Sequence, residues 1–379
     1  MVIVFAGSVA VVVYTFAGYP ALAWLLSIVR RKPLRLDRSF VPRVSLVVLA
    51  YNEEAVIRNK LENTLSLDYP SDRLEIIVVA DGSEDGTAER AGTQPDVHVL
   101  YEPERRGKLA AMNRAAAVAG GEILVFSDAN NHYATDALRE LVAPFADRSV
   151  GVVTGRKAID DGTGRALDRA EGLYWRYESK LKEWESAAGS VTAVAGEILA
   201  FRREAFTEPP TGTMNEDFVQ AMLAALAGWR IVYAPRALSL EAASATIGDE
   251  ATRRTRLVTG RWQALCALFP RLLVRRPGLA WRVASHKGLR PLIPWALAAA
   301  VAGNAALAPG AVWARWFGVA QLSFYAAAGA GWLCERVGRR SRLLYLPYYF
   351  CRMNVATLRG FGDFVSRRHE AVWARVERG

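Results

Sequence analysis

Residues 74–87 read LEIIVVADGSEDGT, and this stretch decides the fold. Leu74 to Ala80 is an unbroken apolar run of the length expected for a strand buried on both faces, and it ends at Asp81-Gly82-Ser83. Working outward, Val44 to Ala50 (VSLVVLA) is a second such run, and it passes into Tyr51-Asn52-Glu53. Glu53 to Leu67 follows with helical spacing, Val56, Leu61 and Leu65 among its apolar positions. Downstream, Val97 to Tyr101 is a weaker strand and Lys108 to Ala119 an alanine-rich helix. Ile123 to Ser127 is a strand that stops at Asp128. Strand and helix in alternation over residues 40–250 predict an α/β domain with a mostly parallel central sheet covered on both faces. Such sheets bind ligands beyond the carboxyl ends of their strands. Ala50, Asp81 and Asp128 all stand at such ends.

The second half of this region is more mixed. Asp168 to Ser186 reads as a long amphipathic helix bearing Tyr174, Trp175, Tyr177 and Trp184, an aromatic group better suited to packing than to a sugar platform. Val191 to Phe201 is strand-like, Glu216 to Ala227 a helix opened by Asn215 as N-cap, and Ile231 to Ala234 a short strand.

Of the 379 residues, 52% are hydrophobic and 23% charged, a mixture that fits an aqueous domain joined to membrane segments. The net charge of +10 is mostly arginine scattered along the chain, which suits anionic lipid headgroups. No nucleic-acid-binding module appears, so nucleic acid is not an expected partner. Cys266, Cys334 and Cys351 have neither zinc nor redox spacing, and the four histidines, at 98, 132, 286 and 369, form no cluster in sequence.

Met1 to Val29 carries no charged side chain and exceeds the ~20 apolar residues that cross a bilayer. Arg30, Arg31, Lys32, Arg35 and Arg38 follow at once, so residues 1–29 read as a retained anchor with its N-terminus outside and the 40–250 domain in the cytoplasm. Residues 251–288 suit an amphipathic helix on the membrane surface, and residues 291–334 a transmembrane hairpin turning at Pro309-Gly310. The loop from Glu335 to Arg342 is basic and belongs inside. Residues 343–379 hold an interfacial or third spanning segment, which contains Pro347 and Arg352, and a basic tail with Arg367, Arg368, Arg375 and Arg378.

Six stretches carry a resemblance: LVVLAYNEE (46–54), VVADGSEDGT (78–87), RRGKLAAMNRA (105–115), FSDANNHYATDAL (126–138), NED (215–217) and RRTRLVTG (253–260). In this order they resemble the membrane-anchored family 2 glycosyltransferases with a GT-A fold, among them the bacterial poly-N-acetylglucosamine, cellulose and hyaluronan synthases. The resemblance implies an inverting transfer of a sugar from a UDP-sugar to a glycan or lipid-linked acceptor, in cell-surface polysaccharide biosynthesis. It implies a bacterial inner-membrane location, a divalent cation (Mg2+ or Mn2+), and polysaccharide export proteins as candidate partners. By the same resemblance, Ala50, Tyr51, Asn52, Glu53, Asp81, Gly82 and Ser83 hold the nucleotide and Lys108 lies near its diphosphate. Asp128 and Asn130 stand at the metal motif, Asp217 is the catalytic base with Glu216 beside it, and Arg256 is a site residue. The chemistry gives each role a reason. A leaving diphosphate gains negative charge, which a hard oxygen-ligated cation and a lysine offset. A sugar hydroxyl is a poor nucleophile until a carboxylate takes its proton.

Two positions depart from the family pattern. Its Asp-x-Asp metal motif reads Asp128-Ala129-Asn130, so the third position offers a carbonyl oxygen without charge. The Gln-x-x-Arg-Trp motif of the processive members aligns with Arg253 to Leu257 and keeps only Arg256; Arg261-Trp262 lies nearby out of register. These departures favour transfer of one or a few sugars over long polymerisation. They leave open transfer to a polyprenyl-phosphate-type carrier, and also a non-catalytic nucleotide-sugar-binding subunit. Taken singly, Asp81 before glycine is turn chemistry, and Glu216 and Asp217 are residues that favour a helix start.

Overall fold

The computed structural model describes residues 1–160, 166–242, 246–339 and 341–367. His369 and the tail arginines 368, 375 and 378 lie outside the described residues, as does Arg340. The chain opens on α1 (Val2–Val13) and α2 (Tyr19–Val29), joined without a break by one π turn at Tyr14–Gly18. Among the described residues this 28-residue stretch is the one helix long and apolar enough to cross a membrane.

Alternating strands and helices follow. They are β1 (Val44–Ala50), α3 (Ile57–Leu65), β2 (Leu74–Asp81), α4 (Thr87–Gly92), β3 (Val97–Glu102), α5 (Lys108–Val118) and β4 (Ile123–Asp128). Then come β5 (Asn131–Tyr133), α6 (Ala137–Val142), β6 (Val150–Asp160), α7 (Ala166–Ala187), β7 (Leu199–Arg202), α8 (Glu216–Leu226) and β8 (Arg230–Ala242). The strands make one sheet in the order β3-β2-β1-β4-β7-β6-β8-β5. Neighbours from β3 to β4 run parallel, as do β6 and β8, whereas β7 is antiparallel to both neighbours and β5 to β8. The register sets Leu49 level with Val79 on one side and with Asp128 on the other, so the ends of β1, β2 and β4 form one rim.

The central strands are buried on both faces, as their unbroken apolar runs require. Val47 and Leu49 of β1 point into a core shared with Ala111, Met112 and Ala115 of α5 and with α8. Val44, Leu46 and Val48 point the other way, onto Ile57 and Leu61 of α3.

The structure departs from the sequence expectations in four places. The helix after β1 begins at Ile57 rather than Glu53. Asn52 adopts a positive φ of 52°, and the Glu53 and Glu54 amides donate to Thr87 Oγ1 and Asp85 Oδ2 instead of entering a helix. The strand expected over Val191 to Phe201 exists only as β7, because residues 191–198 cross the mouth of the sheet as a loop. β6 gave no clear signal in the sequence, and β8 extends far beyond Ile231–Ala234. Both lean on one another in parallel, with register shifts after Val150 and Gly155 that blur the pattern. Finally, Asn215 precedes α8 but makes no side-chain capping bond; Asp217 Oδ1 instead accepts from the Phe218 amide at 2.7 Å.

The C-terminal part is helical: α9 (Ile247–Arg275), α10 (Pro277–Val283), α11 (Ile293–Leu307), α12 (Val312–Arg336) and α13 (Arg342–Val365). Thr246 and Asp249 form a capping box that fixes the start of α9. α13 lies along α9 so closely that Thr255 and Thr259 donate to the Ala356 and Gly360 carbonyls. α11 packs on α1, with Gly303 against Phe5.

Candidate active site

The rim formed by β1, β2 and β4 opens into a cleft of about 280 Å³. α9 roofs it, and Gly260 permits this: a Cβ there would stand 3.0 Å from Met214 Cβ and 3.2 Å from Asn215 Cβ. The cleft is lined by Ala50, Tyr51, Glu53, Asp81, Lys108, Asp128, Asn130, Glu216, Asp217 and Arg256 from among the expected site residues. Residues more than 160 positions apart in the chain thus meet in one place.

Asp81 ends β2, buried, and its carboxylate accepts from the Gly107 amide at 2.6 Å, the Arg106 amide at 3.2 Å and Arg114 Nη2 at 2.6 Å. Gly82 lets the 103–107 loop come this close: its φ is +67°, and a Cβ would stand 2.6 Å from the Arg105 backbone nitrogen. The Arg105 guanidinium lies 3.5 Å over the Tyr51 ring, a flat cationic wall at the mouth of the cleft.

Asn52, Gly82 and Ser83, which the resemblance implies hold the nucleotide, are not among the residues that line the cleft. They brace the loops behind it. Ser83 Oγ accepts from the Asn52 amide at 3.2 Å, and Asn52 Oδ1 accepts from the Glu84 amide at 2.9 Å. Their polar atoms serve the backbone that shapes the wall.

At the centre, Lys108 Nζ donates to Asp128 Oδ1 at 2.6 Å and lies 4.0 Å from Glu216 Oε1. Burial works to lower the Lys108 ammonium, but Asp128 and Glu216 outweigh it and hold it up. Burial raises both carboxyls of the Glu216–Asp217 pair, Glu216 to about 7, and Lys108 pulls both back only in part. Burial also lowers the Arg256 guanidinium. Glu216 therefore keeps its proton to a higher pH than an exposed carboxyl does.

Two hard oxygens suit a divalent cation. One is the Asp128 carboxylate; the other is Asn130 Oδ1, which is buried without a hydrogen-bond partner. Among the described residues no group of three His, Cys, Asp or Glu could hold a metal alone. Asp128 and Asn130 would supply part of the ligand set of such a cation.

Several cleft residues were missed by sequence reasoning. Gly196 lies against Asp217, and a Cβ there would stand 3.2 Å from Asp217 Oδ2. Glu197 and Lys157 form a buried pair at 3.2 Å on the floor, where Lys157 also meets Glu241. No spacing links these three to the other motifs; only the pairing of β6, β7 and β8 brings them together. Arg253 and Leu257 join Arg256 in the cleft, whereas Trp262 meets Phe361 edge-on and stacks on Phe364 of α13, and so does not replace the missing tryptophan of the processive motif.

Residues 45–208 match the family described as Glycosyl transferase family 2. Over residues 45–208 the chain is similar to that family, and its fold is that of the GT-A glycosyltransferases. It is similar to the poly-beta-1,6-N-acetyl-D-glucosamine synthase of Staphylococcus aureus (strain COL), 27% identical over 230 residues, which are 59% of this chain and 55% of that protein. The synthase of the same name from Staphylococcus epidermidis is 28% identical over 240 residues, 61% and 58% of the two chains. The chain spans about half the length of the curated relatives it matches. Among solved structures it resembles the mannosyltransferase PcManGT from Pyrobaculum calidifontis, determined in complex with GDP-Man and Mn2+. That likeness has a TM-score of 0.73 and 29% identity, and covers 97% of this chain and 100% of the other.

Proposed function

We propose that the protein transfers a hexose from a UDP-sugar to a glycan or lipid-linked acceptor, with inversion at the anomeric carbon, in cell-surface polysaccharide biosynthesis. The observation that carries this reading is the meeting of Asp128, Lys108 and Asp217 in one cleft beneath Arg256. The nucleotide lies along Ala50, Tyr51, Glu53 and Asp81, where the Tyr51–Arg105 wall offers a face for a base. Asp128 and Asn130 are the residues that would hold Mg2+ or Mn2+, which supplies positive charge to the departing diphosphate. Lys108, half-buried and held charged by Asp128 and Glu216, adds to that charge from the protein side. Asp217 accepts the proton of the acceptor hydroxyl while its oxygen bonds to the anomeric carbon and the bond to the diphosphate breaks. Burial, with the Glu197 carboxylate adding to it, raises Asp217 and strengthens it as a proton acceptor. The departures at the processive motif favour one or a few transfers over long polymerisation. An apolar helix over Val2–Val29 followed by Arg30, Arg31 and Lys32 supports an inner-membrane protein with its catalytic domain in the cytoplasm.

A second donor has its own support: the mannosyltransferase that this chain resembles over nearly its whole length was determined with GDP-Man. A panel of UDP- and GDP-sugars, with Mg2+ or Mn2+, tests both through release of the nucleoside diphosphate. Asp217→Asn is expected to lower kcat about 10²- to 10⁴-fold with nucleotide affinity unchanged. Equal turnover by the variant and the wild type removes Asp217 as base. No turnover of any donor by the wild type favours the non-catalytic binding subunit.

A further inference from the structure

A second charged cluster lies outside the catalytic cleft, where α7, α9 and the segment just before α11 meet. Arg290 is its centre and is 6% exposed. Its Nη1 stands 2.5 Å from Glu178 Oε1 and 3.3 Å from the Tyr174 hydroxyl. Its Nε and Nη2 are buried with no hydrogen-bond partner. Lys287 reaches the other Glu178 oxygen at 3.3 Å. From α9, Arg254 and Arg261, two turns apart on one helix face, bring further positive charge to the same place. Arg254 Nε is likewise buried without a partner.

Among the described residues, Arg261, Lys287 and Arg290 all act on the Glu178 carboxylate, and Arg254 adds positive charge beside Arg261. The next carboxylate, Glu185, is taken by Tyr19, Thr192 and His286. Burial pushes the Arg261 guanidinium down to about 10, and Arg254 and Arg290 push the same way. A buried guanidinium with unmade hydrogen bonds is costly, and an excess of such charge is stabilised by an anion. Paired planar donors on arginine fit the oxygens of a phosphate. Arg290 stands just before the apolar α11, and Lys287 is close enough to Asp217 to favour its ionised form. The cluster thus joins the apolar helices to the base.

We propose that Arg254, Arg261 and Arg290 form a phosphate-binding site that holds the phosphate of the acceptor, carried on a lipid or free in solution. The link to an acceptor rests on the glycosyltransferase reading above; the anion site itself does not.

The test uses the full chain in nanodiscs of phosphatidylcholine, without donor. The probes are farnesyl monophosphate, inorganic phosphate and added phosphatidylglycerol, and the readouts are affinity and thermal shift. Farnesyl monophosphate is expected to bind, and Arg290→Gln and Arg254→Gln to weaken it at least tenfold while UDP and GDP affinities hold. Binding of inorganic phosphate as tight as that of the farnesyl ester supports the site and makes its source soluble. Arginine-dependent binding of phosphatidylglycerol alone overturns the proposal in favour of a bilayer contact. Equal binding by variants and wild type, or no binding of farnesyl monophosphate or inorganic phosphate, also overturns it. If Arg290→Gln fails to fold, Arg254→Gln decides, since among the described residues Arg254 makes no ion pair whose loss would unfold the protein. A wild type that binds the monoester yet turns over no donor keeps the anion site and sinks the transfer reading separately.

Discussion

At the scale of single residues, the cleft is governed by burial acting on Glu216 and Asp217. Their carboxyls titrate as a pair, so removing one charge must ease ionisation of the other. Glu216→Gln is therefore expected to move the acidic limb of kcat/KM to lower pH, and an unmoved limb refutes the coupling. The same shift has a sign for stability. Folding raises Glu216 from 4.5 to about 7, so the folded state holds the extra proton, and stability from this group falls as pH rises through that window. The Gln variant is expected to lose less stability than wild type between pH 5 and pH 8, in thermal unfolding across that range. Most carboxylates of the site were legible in the sequence because each closes an apolar strand run or opens a helix. Gly196 and Glu197 were not, since the strand-like run of Val191 to Phe201 conceals a loop that brings Gly196 against Asp217, and Lys157 lies on β6, which gave no clear signal.

At the scale of elements, the roof of the site depends on one close approach. Gly360 of α13 sits against α9, where a Cβ would stand 2.5 Å from the Thr255 carbonyl and 2.9 Å from Val258 Cβ. Backbone at that distance cannot rotate away as a side chain can. Gly360→Ala is expected to part the two helices and cost about 1–3 kcal/mol in chemical unfolding. Because α9 carries Arg253 and Arg256 into the cleft, nucleotide affinity should fall with it. Unchanged stability and affinity would show that α13 does not hold the roof. The helices α5, α8 and α9 were readable from local signals: an alanine-rich run, Asn215 ahead of a helical stretch, and an amphipathic stretch. The length of β8 was not, because its second half alternates beyond the sheet's buried centre, where it pairs with β5 and the far part of β6.

For the whole molecule, the N-terminal helix is tied to the catalytic domain by polar as well as apolar contacts. Tyr19 of α2, fully buried, donates to Glu185 of α7, which also accepts from the Thr192 amide at 2.8 Å. Tyr19→Phe removes one donor from a buried carboxylate and is expected to cost about 1–3 kcal/mol. Thermal unfolding of the full chain in detergent measures it; no change would mean that Thr192 and His286 suffice. The amino-acid order by itself determined the strand-and-helix alternation, the acidic strand ends and the apolar opening helix, because each is written in a local period or a contiguous run. The tertiary structure alone decided which loops brace the cleft, which glycines admit α9 and Asp217, and where arginine nitrogens are buried without hydrogen-bond partners. Those features depend on distances between segments a hundred or more residues apart, and no local pattern encodes such distances.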